Sequence, residues 1–231
     1  MYSNRYIIIY STILVIVVAT LLTLVSIGLK PKQDYNRKVE KMQNVLASVH
    51  IETTPKNAQE YFNKYIIEQF VIDYKNVKQE NFLAFEVNVE KESKLPAEKR
   101  KLPVFVHKTD DGQIKYIIPM YGKGLWGPIW GYISLNEDKN TIYGAFFDHK
   151  GETPGLGAEI STIEFQNQFK NKKLFDEKGN FVSVKTVKGG AIDVDAHAVD
   201  AISGGTITCN GLNKMMVDEL KPYEMFLKSK N

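Results

Sequence analysis

The sequence is poor in cysteine and histidine, and neither sign of charge dominates it. Cys209 is the only cysteine among 231 residues, which excludes an internal disulfide and a zinc–thiolate cluster; we expect a buried structural thiol. The four histidines lie far apart without zinc spacing. Asp193, Asp195 and His197 alternate as on one face of a strand, and we interpret them as part of a solvated strand or loop edge. No metal site is predicted. The charge of +3, from 30 basic and 27 acidic residues, is too even to indicate nucleic-acid binding.

Charge is also missing from the N-terminal segment. Residues 7–29 contain no charged side chain and are rich in Ile, Val and Leu. At about 1.5 Å per residue, a helix of this length spans roughly 34 Å, enough for a hydrocarbon core of ~30 Å. The run is longer than the apolar part of a signal peptide, and no small-residue cleavage site is evident. We predict a single-pass membrane anchor that stays on the chain.

Composition divides the chain into three parts. We predict the anchor in residues 1–30, a connecting helix in residues 31–57 and one domain with its own core in residues 58–231. The connecting helix is indicated by apolar residues that return at helical spacing, with charges on the other face: Val39, Met42, Val45, Leu46 and Val49.

The domain is predicted to be α+β, with a largely antiparallel sheet flanked by helices, because strands follow one another with few helices between them. Branched and aromatic residues indicate strands at residues 82–89, 104–107, 114–120, 129–135, 141–147 and 181–187. Helices are predicted from Ala58 to about Glu68, at residues 159–169 and at the C-terminus, where Pro222 should break or kink the last helix.

Residues 200–208, Asp-Ala-Ile-Ser-Gly-Gly-Thr-Ile-Thr, are the most informative stretch. The apolar periodicity that follows predicts a helix, so Ser203 and Thr206 lie at or just before its N-terminus. Free N–H groups and the helix dipole favour a phosphate there. Gly204 and Gly205 have no Cβ and let a ligand approach closely. The same residues also suit a simple N-capped loop. They lack the glycine of a serine-hydrolase elbow, because Ala201 occupies its position, and the lysine of a phosphate-binding P-loop.

Two further glycine-rich segments stand out. Residues 151–157, Gly-Glu-Thr-Pro-Gly-Leu-Gly, form a turn with exposed backbone. Residues 122–131 contain both tryptophans, and an aromatic plane beside glycine can stack on a flat ligand, although a buried tryptophan is more often part of the core. Taken alone, each segment is compatible with an ordinary loop.

These segments resemble a known flavoprotein family. Four residues match the motif of proteins that carry FMN on threonine through a phosphodiester bond: Asp200, Ser203, Gly204 and Thr206. In that family the closing threonine is the acceptor, which implies covalent FMN on Thr206 and leaves Thr208 as the next candidate. Gly205 stands where the motif usually has alanine, and the smaller residue should not block the linkage.

The segment Glu-Thr-Pro-Gly-Leu-Gly at residues 152–157 matches a motif of the C subunit of the Na⁺-pumping NADH:quinone oxidoreductase, and of the G subunit of the related Rnf complex. The Gly-Leu-Trp segment at residues 124–126 is similar to the same family. Because the motifs follow the family's order behind one anchor, the chain is identified as a member. The resemblance implies flavin contacts from Leu125, Trp126, Glu152, Thr153, Gly155 and Leu156, and a cofactor-side charge from Lys188. Trp130 is expected inside the domain.

The resemblance to the C subunit of the quinone reductase implies an electron carrier with no catalytic residue of its own. Electrons would pass from NADH through other subunits to this FMN and on to the FMN of the B subunit, with ubiquinone reduction and sodium transport elsewhere in the complex. The implied partners are the A, B, D, E and F subunits, a transferase that attaches FMN from FAD, and membrane lipid. The linkage would make the mature chain a flavoprotein and a phosphoprotein. Asp200 is expected to help the transferase recognise the site.

The orientation of the chain receives opposing indications. Basic residues are more numerous after the anchor than before it, which by the positive-inside rule places the domain in the cytoplasm. The family resemblance implies a domain on the periplasmic side of the bacterial inner membrane. We adopt the second, because long domains can translocate despite flanking charge.

Three alternatives stay open at the level of sequence. The first is the G subunit of an Rnf-type ferredoxin:NAD oxidoreductase. The second is a membrane-anchored structural protein of the complex whose glycine segments are only loops. The third is an anchored serine hydrolase using Ser203, which lacks both a placed base and the nucleophile elbow.

Overall fold

The structure is a computed structural model that describes residues 3–191 and 194–229. The chain forms two compact units, the first ending at Lys41 and the second beginning at Met42. The first unit consists of most of α1 (Asn4–Ala47), whose last residues belong to the second unit. This helix contains the apolar run, whose side chains are exposed, and continues through Pro31. By length and composition α1 is able to cross a membrane. One helix thus covers both the expected anchor and most of the expected connecting helix.

The second unit is an α+β domain built on strands that follow one another closely. After α1 the regular elements are α2 (Ala58–Tyr65), β1 (Ile66–Ile72), α3 (Val89–Glu92), β2 (Leu102–Lys108), β3 (Ile114–Lys123), β4 (Pro128–Leu135), β5 (Ile142–His149), α4 (Ile163–Asn167), β6 (Lys185–Val187), β7 (Ala198–Asp200), α5 (Thr206–Leu220) and α6 (Glu224–Lys228). Short 3₁₀ turns lie at Ala84–Glu86, Ala97–Lys99, Gly157–Ser161 and Lys221–Tyr223.

Five strands form one antiparallel sheet in the sequential order β1-β2-β3-β4-β5. Consecutive side chains point to opposite faces of a strand, so neighbours such as Ile117 and Ile118 on β3 are both buried, in different clusters. The short strands β6 and β7 pair in parallel and form a separate two-stranded sheet. The antiparallel sheet agrees with the predicted α+β class.

Both faces of the large sheet are covered. On one face, α5 contributes apolar residues at helical spacing, including Leu212, Met215 and Leu220, to a cluster with strand residues such as Ile118 and Phe147. On the other face, the end of α1, α2 and the segment before β2 supply the second cluster. Burial of apolar area on both faces is the main stabilising contribution to such a layered domain.

The structure corrects several predicted elements. Residues 82–89 are not a strand: Ala84–Glu86 is a 3₁₀ turn, and the Asn88 side chain caps α3 by accepting from the Lys91 N–H. The predicted helix from Ala58 stops at Tyr65, where β1 begins. The predicted helix at residues 159–169 is shorter and divided at Thr162. Only Lys185–Val187 of residues 181–187 is a strand. In each case, local capping and tertiary pairing override the intrinsic preference of the segment.

Other predictions of local structure are confirmed. β2 to β5 lie where strands were predicted, α5 begins at Thr206, and the helix breaks beside Pro222 into a 3₁₀ turn.

The residues 193–197 were interpreted as a solvated strand or loop edge. Turns occupy most of residues 194–197, as in a loop, and Asp193 lies outside the described residues. No group of three metal-ligating side chains occurs among the described residues.

Candidate flavin site

The three glycine-rich segments meet at one end of the domain, around a cavity of about 220 Å³. The segments are the β3–β4 loop (residues 124–127), the loop after β5 (residues 150–157) and the approach to α5 (residues 201–206). The lining residues are Leu125, Glu152, Thr153, Leu156, Gly157, Gly204, Gly205, Thr206, Ile207 and Thr208. Tertiary structure therefore assembles motifs that lie about 80 residues apart along the chain.

The N-terminus of α5 forms one wall of the cavity. Gly205 precedes the helix and has no side chain to cap it, and the first intrahelical bond is donated by the Cys209 N–H to the Gly205 carbonyl at 2.9 Å. The N–H groups of the preceding helical residues are thus the unsatisfied donors that every α-helix presents at its start. Together with the positive end of the helix dipole, they favour an anion at this wall.

Gly204 lets the loop after β5 approach this helix start. Its φ of +74° lies in the left-handed region that suits glycine. A Cβ built on Gly204 would lie 2.5 Å from Leu156 Cδ2, so a larger residue would have to displace the Leu156 side chain. At Gly205 the nearest neighbour of an added Cβ is the Ile202 side chain, at 3.0 Å, which is a milder restriction.

The two threonines of the motif have opposite environments. Thr206 is the first residue of α5 and is exposed. Thr208 is buried, at 2% exposure, and its hydroxyl donates a hydrogen bond to Glu152 Oε2. A hydroxyl that must react with a bulky external group needs access, which Thr206 has and Thr208 lacks.

Glu152 is a buried carboxylate at the centre of the site, with 4% exposure. Its Oε1 accepts a hydrogen bond from the Trp126 N–H at 2.8 Å, and its Oε2 accepts from Thr208. Burial acts to raise the pKa of Glu152, but the hydrogen bonds from Thr208 and from the backbone of the β3–β4 loop outweigh burial and lower the pKa. The ionised carboxylate therefore joins the β3–β4 loop to the first turn of α5.

Three exposed apolar side chains line the cavity, and a fourth, that of Trp126, follows Leu125 in the β3–β4 loop without lining it. We call the four together the apolar rim: Leu125, Trp126, Leu156 and Ile207. Their exposed fractions are 45%, 69%, 41% and 56%. Large apolar side chains grouped around a cavity suggest a binding surface for a flat, apolar ligand. Trp130, in contrast, lies within β4 opposite Tyr121 and is half-buried.

The loop after β5 is held by its own backbone. The Thr153 carbonyl accepts from the N–H groups of Leu156 and Ala158, both at 3.1 Å. Gly155, with a φ of +73°, donates its N–H to Glu159 Oε1 at 2.8 Å. Gly155 is exposed and lies outside the cavity lining, so its contribution here is to the turn.

Five of the predicted site residues lie outside the cavity lining: Trp126 and Gly155, named above, and Asp200, Lys188 and Ser203. Asp200 donates its N–H to Gln168 Oε1 at 2.8 Å and accepts from the Ala191 N–H at 2.7 Å, so it fastens the end of the β6–β7 pair. Lys188 follows β6 and is exposed. Ser203 is exposed in the turn before Gly204.

Two lining residues were not predicted from the sequence, Gly157 and Ile207. Gly157 is the last residue of the Glu-Thr-Pro-Gly-Leu-Gly segment. Its Cα is crowded by the side chains of Thr208 and Glu152, and these contacts are visible only in the structure. Ile207 is an exposed apolar residue in the first turn of α5, next to the acceptor candidate. The only signal in the sequence that could have identified Ile207 is its position between the two threonines of the motif.

A larger cavity of about 420 Å³ lies between β3 and α5 and contains none of the predicted site residues. At its wall, Arg100 pairs with Glu219 at 3.1 Å, and both side chains are largely buried. Burial raises the pKa of Glu219 to about 7 even though Arg100 opposes the shift. The volume of a cavity does not by itself identify the functional site. The motif residues line the smaller cavity, of about 220 Å³.

The flavin motif and the fold together define a class of protein. The FMN-binding domain family matches residues 124–221, a range that begins at the β3–β4 loop and includes the whole of α5. It contains all three segments of the cavity. The chain therefore carries an FMN-binding domain.

Comparison with individual proteins gives the family. The C subunit of the Na⁺-translocating NADH-quinone reductase of Vibrio campbellii is 32% identical over 218 residues, covering 85% of this chain and 83% of the relative. The corresponding protein of Yersinia pestis is 34% identical over 226 residues, covering 87% and 84%. A crystal structure of the C subunit from Parabacteroides distasonis is 45% identical, with a TM-score of 0.79, and covers 88% of this chain and 98% of that one.

The chain belongs to the family of C subunits of the Na⁺-translocating NADH-quinone reductase, an oxidoreductase complex. The predicted resemblance and the predicted fold class are thus confirmed. Because these relatives are named as subunits of the quinone reductase, they favour that family over the Rnf alternative, and the FMN-binding domain argues against a purely structural role.

Proposed function

We propose that this chain relays electrons within a Na⁺-translocating NADH:quinone reductase through an FMN attached to Thr206 by a phosphodiester bond. The observation that carries the choice of residue is the contrast between the two threonines. Thr206 is exposed at the first position of α5, whereas Thr208 is buried and engaged by Glu152. Membership of the C-subunit family supports the choice of cofactor and complex.

The cavity fits the chemistry of FMN. The phosphate end requires hydrogen-bond donors and positive potential, which the start of α5 supplies. The isoalloxazine ring requires an apolar surface with a few polar contacts, which the apolar rim and the exposed Thr153 side chain would supply. Close approach to the backbone requires glycine, which Gly204 provides. These residues would hold the group between the helix start and the loop after β5.

Bound FMN would supply the capacity to accept and release electrons one at a time. The chain's own residues would position the ring, shield it from water and fix its phosphate. Lys188 would add positive charge on the cofactor side. Asp200 would hold the segment after β6 in place. That segment would present both Lys188 and the surface that the transferase recognises. In the attachment step the Thr206 hydroxyl would displace AMP from the flavin-side phosphorus of FAD and lose its proton.

The proposed setting is the bacterial inner membrane. Helix α1 would anchor the chain in lipid, and the FMN domain would work on the periplasmic side, where a covalent bond prevents loss of the cofactor. Electrons would reach this flavin from NADH through other subunits and leave to the FMN of the B subunit. Contacts with the A, B, D, E and F subunits are proposed on the same basis.

The decisive experiment is the intact mass of the denatured chain, made in a host that contains the flavin transferase. The expected addition is FMN less one water, located by fragmentation on the peptide that contains Thr206. Thr206→Ala should abolish the addition in a folded, membrane-bound chain, and Thr206→Ser, which keeps a hydroxyl, is the matched control for the geometry.

Thr208→Ala tests the other candidate. It should retain the added mass, because the buried Thr208 hydroxyl is not the acceptor. If the flavin remains on Thr206→Ala and is lost from Thr208→Ala, the assignment is reversed. If the wild-type chain carries no added mass, covalent attachment of FMN is excluded.

A further inference from the structure

The hydrogen bonds of Glu152 have a feature that a simple flavin contact would not need. Both carboxylate oxygens are used inside the protein: Oε1 accepts from the Trp126 N–H at 2.8 Å, and Oε2 accepts from the Thr208 hydroxyl. With 4% exposure, the carboxylate has little surface left for an external ligand. Its partners lie on two different walls of the cavity.

Two glycines make the space for this carboxylate. A Cβ on Gly124 would lie 2.6 Å from Glu152 Oε1, and a Cβ on Gly157 would lie 2.6 Å from Oε2 and collide with the Thr208 hydroxyl. Neither glycine has a positive φ, so backbone conformation does not require glycine at these positions. The absence of a side chain is explained by the room that the carboxylate and its partners occupy.

The hydrogen bonds of Glu152 connect the β3–β4 loop to the first turn of α5. The Trp126 N–H belongs to the β3–β4 loop, which carries two members of the apolar rim. Thr208 belongs to the first turn of α5, which begins with Thr206. A buried charge stays ionised only while its hydrogen-bond donors remain in place, so the carboxylate holds these two walls at a fixed separation.

We propose that Glu152 is a positioning residue for the flavin: through Thr208 and the Trp126 N–H it fixes the β3–β4 loop against the start of α5, and so sets where Leu125 and Trp126 stand relative to Thr206. This inference rests on the proposed attachment of FMN at Thr206. It gives Glu152 an internal role, in place of the direct flavin contact that the family resemblance implies.

The first test replaces the donor and leaves Glu152 in place. Thr208→Val removes the hydroxyl with little change of volume, and Thr208→Ser keeps a hydroxyl as the matched control. In chains that carry flavin, the intact mass should show the same flavin addition in both variants. Thr208→Val should shift the flavin's visible absorption maxima and its midpoint potential, and Thr208→Ser should restore wild-type values.

The second test uses the glycines and needs no cofactor. In a Trp130→Phe background from a host without the transferase, Trp126 is the only tryptophan. Gly157→Ala should displace the Glu152–Thr208 contact and lower the fluorescence anisotropy of Trp126, because the β3–β4 loop loses its anchor. Gly151→Ala lies in the same loop, where a Cβ meets nothing within 4 Å, and should leave the anisotropy unchanged.

The outcomes separate this inference from the proposed function. A wild-type chain without flavin would exclude the proposed function, while the anisotropy experiment would still test the role of Glu152. If Thr208→Val and Gly157→Ala leave both the flavin spectrum and the Trp126 anisotropy at wild-type values, Glu152 does not position the loop. A spectral shift in Glu152→Gln without any shift in Thr208→Val would also overturn the inference, because it would indicate direct contact with the flavin.

Discussion

Thr206 and Thr208 show how strongly the position on a helix controls the chemistry of a residue. An α-helix turns by about 100° per residue, so side chains two positions apart point to nearly opposite sides. Thr206 faces outwards at the helix start, and Thr208 faces the buried Glu152 carboxylate. The same hydroxyl group is therefore a candidate for modification at one position and an internal hydrogen-bond donor at the other.

Trp126 is expected to act on the flavin and to contribute little to folding. Its side chain is 69% exposed, so Trp126→Ala should change the free energy of unfolding by less than about 0.5 kcal/mol. Attachment of FMN should be unaffected, whereas the flavin absorption spectrum should change, because an aromatic plane at the apolar rim is lost. Trp126→Phe should give an intermediate spectrum. Identical spectra for all three chains would remove Trp126 from the flavin contacts.

The residues of the site were predictable to different extents. The residues 200–208 and the start of α5 were identified from local pattern, because caps, glycines and apolar periodicity are local signals. The hydrogen bond between Glu152 and Thr208 joins residues 56 positions apart, and no local pattern encodes such a contact. For the same reason the sequence left the choice between Thr206 and Thr208 to family resemblance, and the structure supplies a physical reason for it.

Helix α5 is fixed at both ends by charged groups. At its start, Glu152 accepts from Thr208; near its end, Arg100 donates to the Asp218 carbonyl at 3.1 Å and to Glu219 Oε1 at 3.1 Å. Arg100 also donates to the Ser93 carbonyl at 2.8 Å, which connects the helix to the segment before β2. The helix that presents Thr206 is thus tied to neighbouring segments of the domain near both of its ends.

The pair of Arg100 and Glu219 should make stability depend on pH. Burial raises the folded-state pKa of Glu219 from 4.5 to about 7, so between these values the folded chain binds more protons than the unfolded chain. Stability therefore falls as pH rises through this window, by on the order of 3 kcal/mol for this group alone. Denaturant unfolding of the full chain in detergent at several pH values measures the slope.

The variant Glu219→Gln removes this titration. The free energy of unfolding of this variant minus that of the wild type should increase steadily from pH 4.5 to pH 7, because only the wild type loses stability over this window. Glu224→Gln is the control, because its pKa is lowered by hydrogen bonds from Lys221 and Lys228 and any effect falls below pH 4.5. A constant difference between Glu219→Gln and wild type across the window would contradict the expectation.

At the scale of elements, the strands of the sheet that are rich in branched and aromatic residues were predictable, and segments governed by tertiary contacts were not. β3 and β4 are rich in branched and aromatic residues, are buried or half-buried over most of their length and lie where they were predicted. Residues 82–89 are equally rich in apolar side chains, but only some of these side chains pack into the core. Ala84 and Val87 are buried, whereas Phe82 and Leu83 are exposed. β1 was missed because its residues continue the apolar pattern of α2 without a turn signal between them.

At the scale of the whole domain, the antiparallel sheet acts as a scaffold for loops that carry the site. β3, β4 and β5 are adjacent in the sheet, so the β3–β4 loop and the loop after β5 leave the sheet side by side, at the same end of the strands. α5 packs on the face of the sheet that carries Ile118 and Phe147, and its first turn lies beside these two loops. Sequential strand order and one packed helix are therefore sufficient to bring the three motifs together.

The burial of Cys209 has a practical consequence for topology mapping. Its thiol is 2% exposed and accepts a hydrogen bond from the Ile202 N–H, so the native chain should be silent to maleimides. A new thiol at the exposed turn position Lys178, introduced as Lys178→Cys, would be the single reactive group. Labelling by a membrane-impermeant maleimide in right-side-out spheroplasts would report a periplasmic domain. Labelling only after lysis would instead support the cytoplasmic placement that the flanking charges favour, and would move this electron carrier to the other side of the membrane.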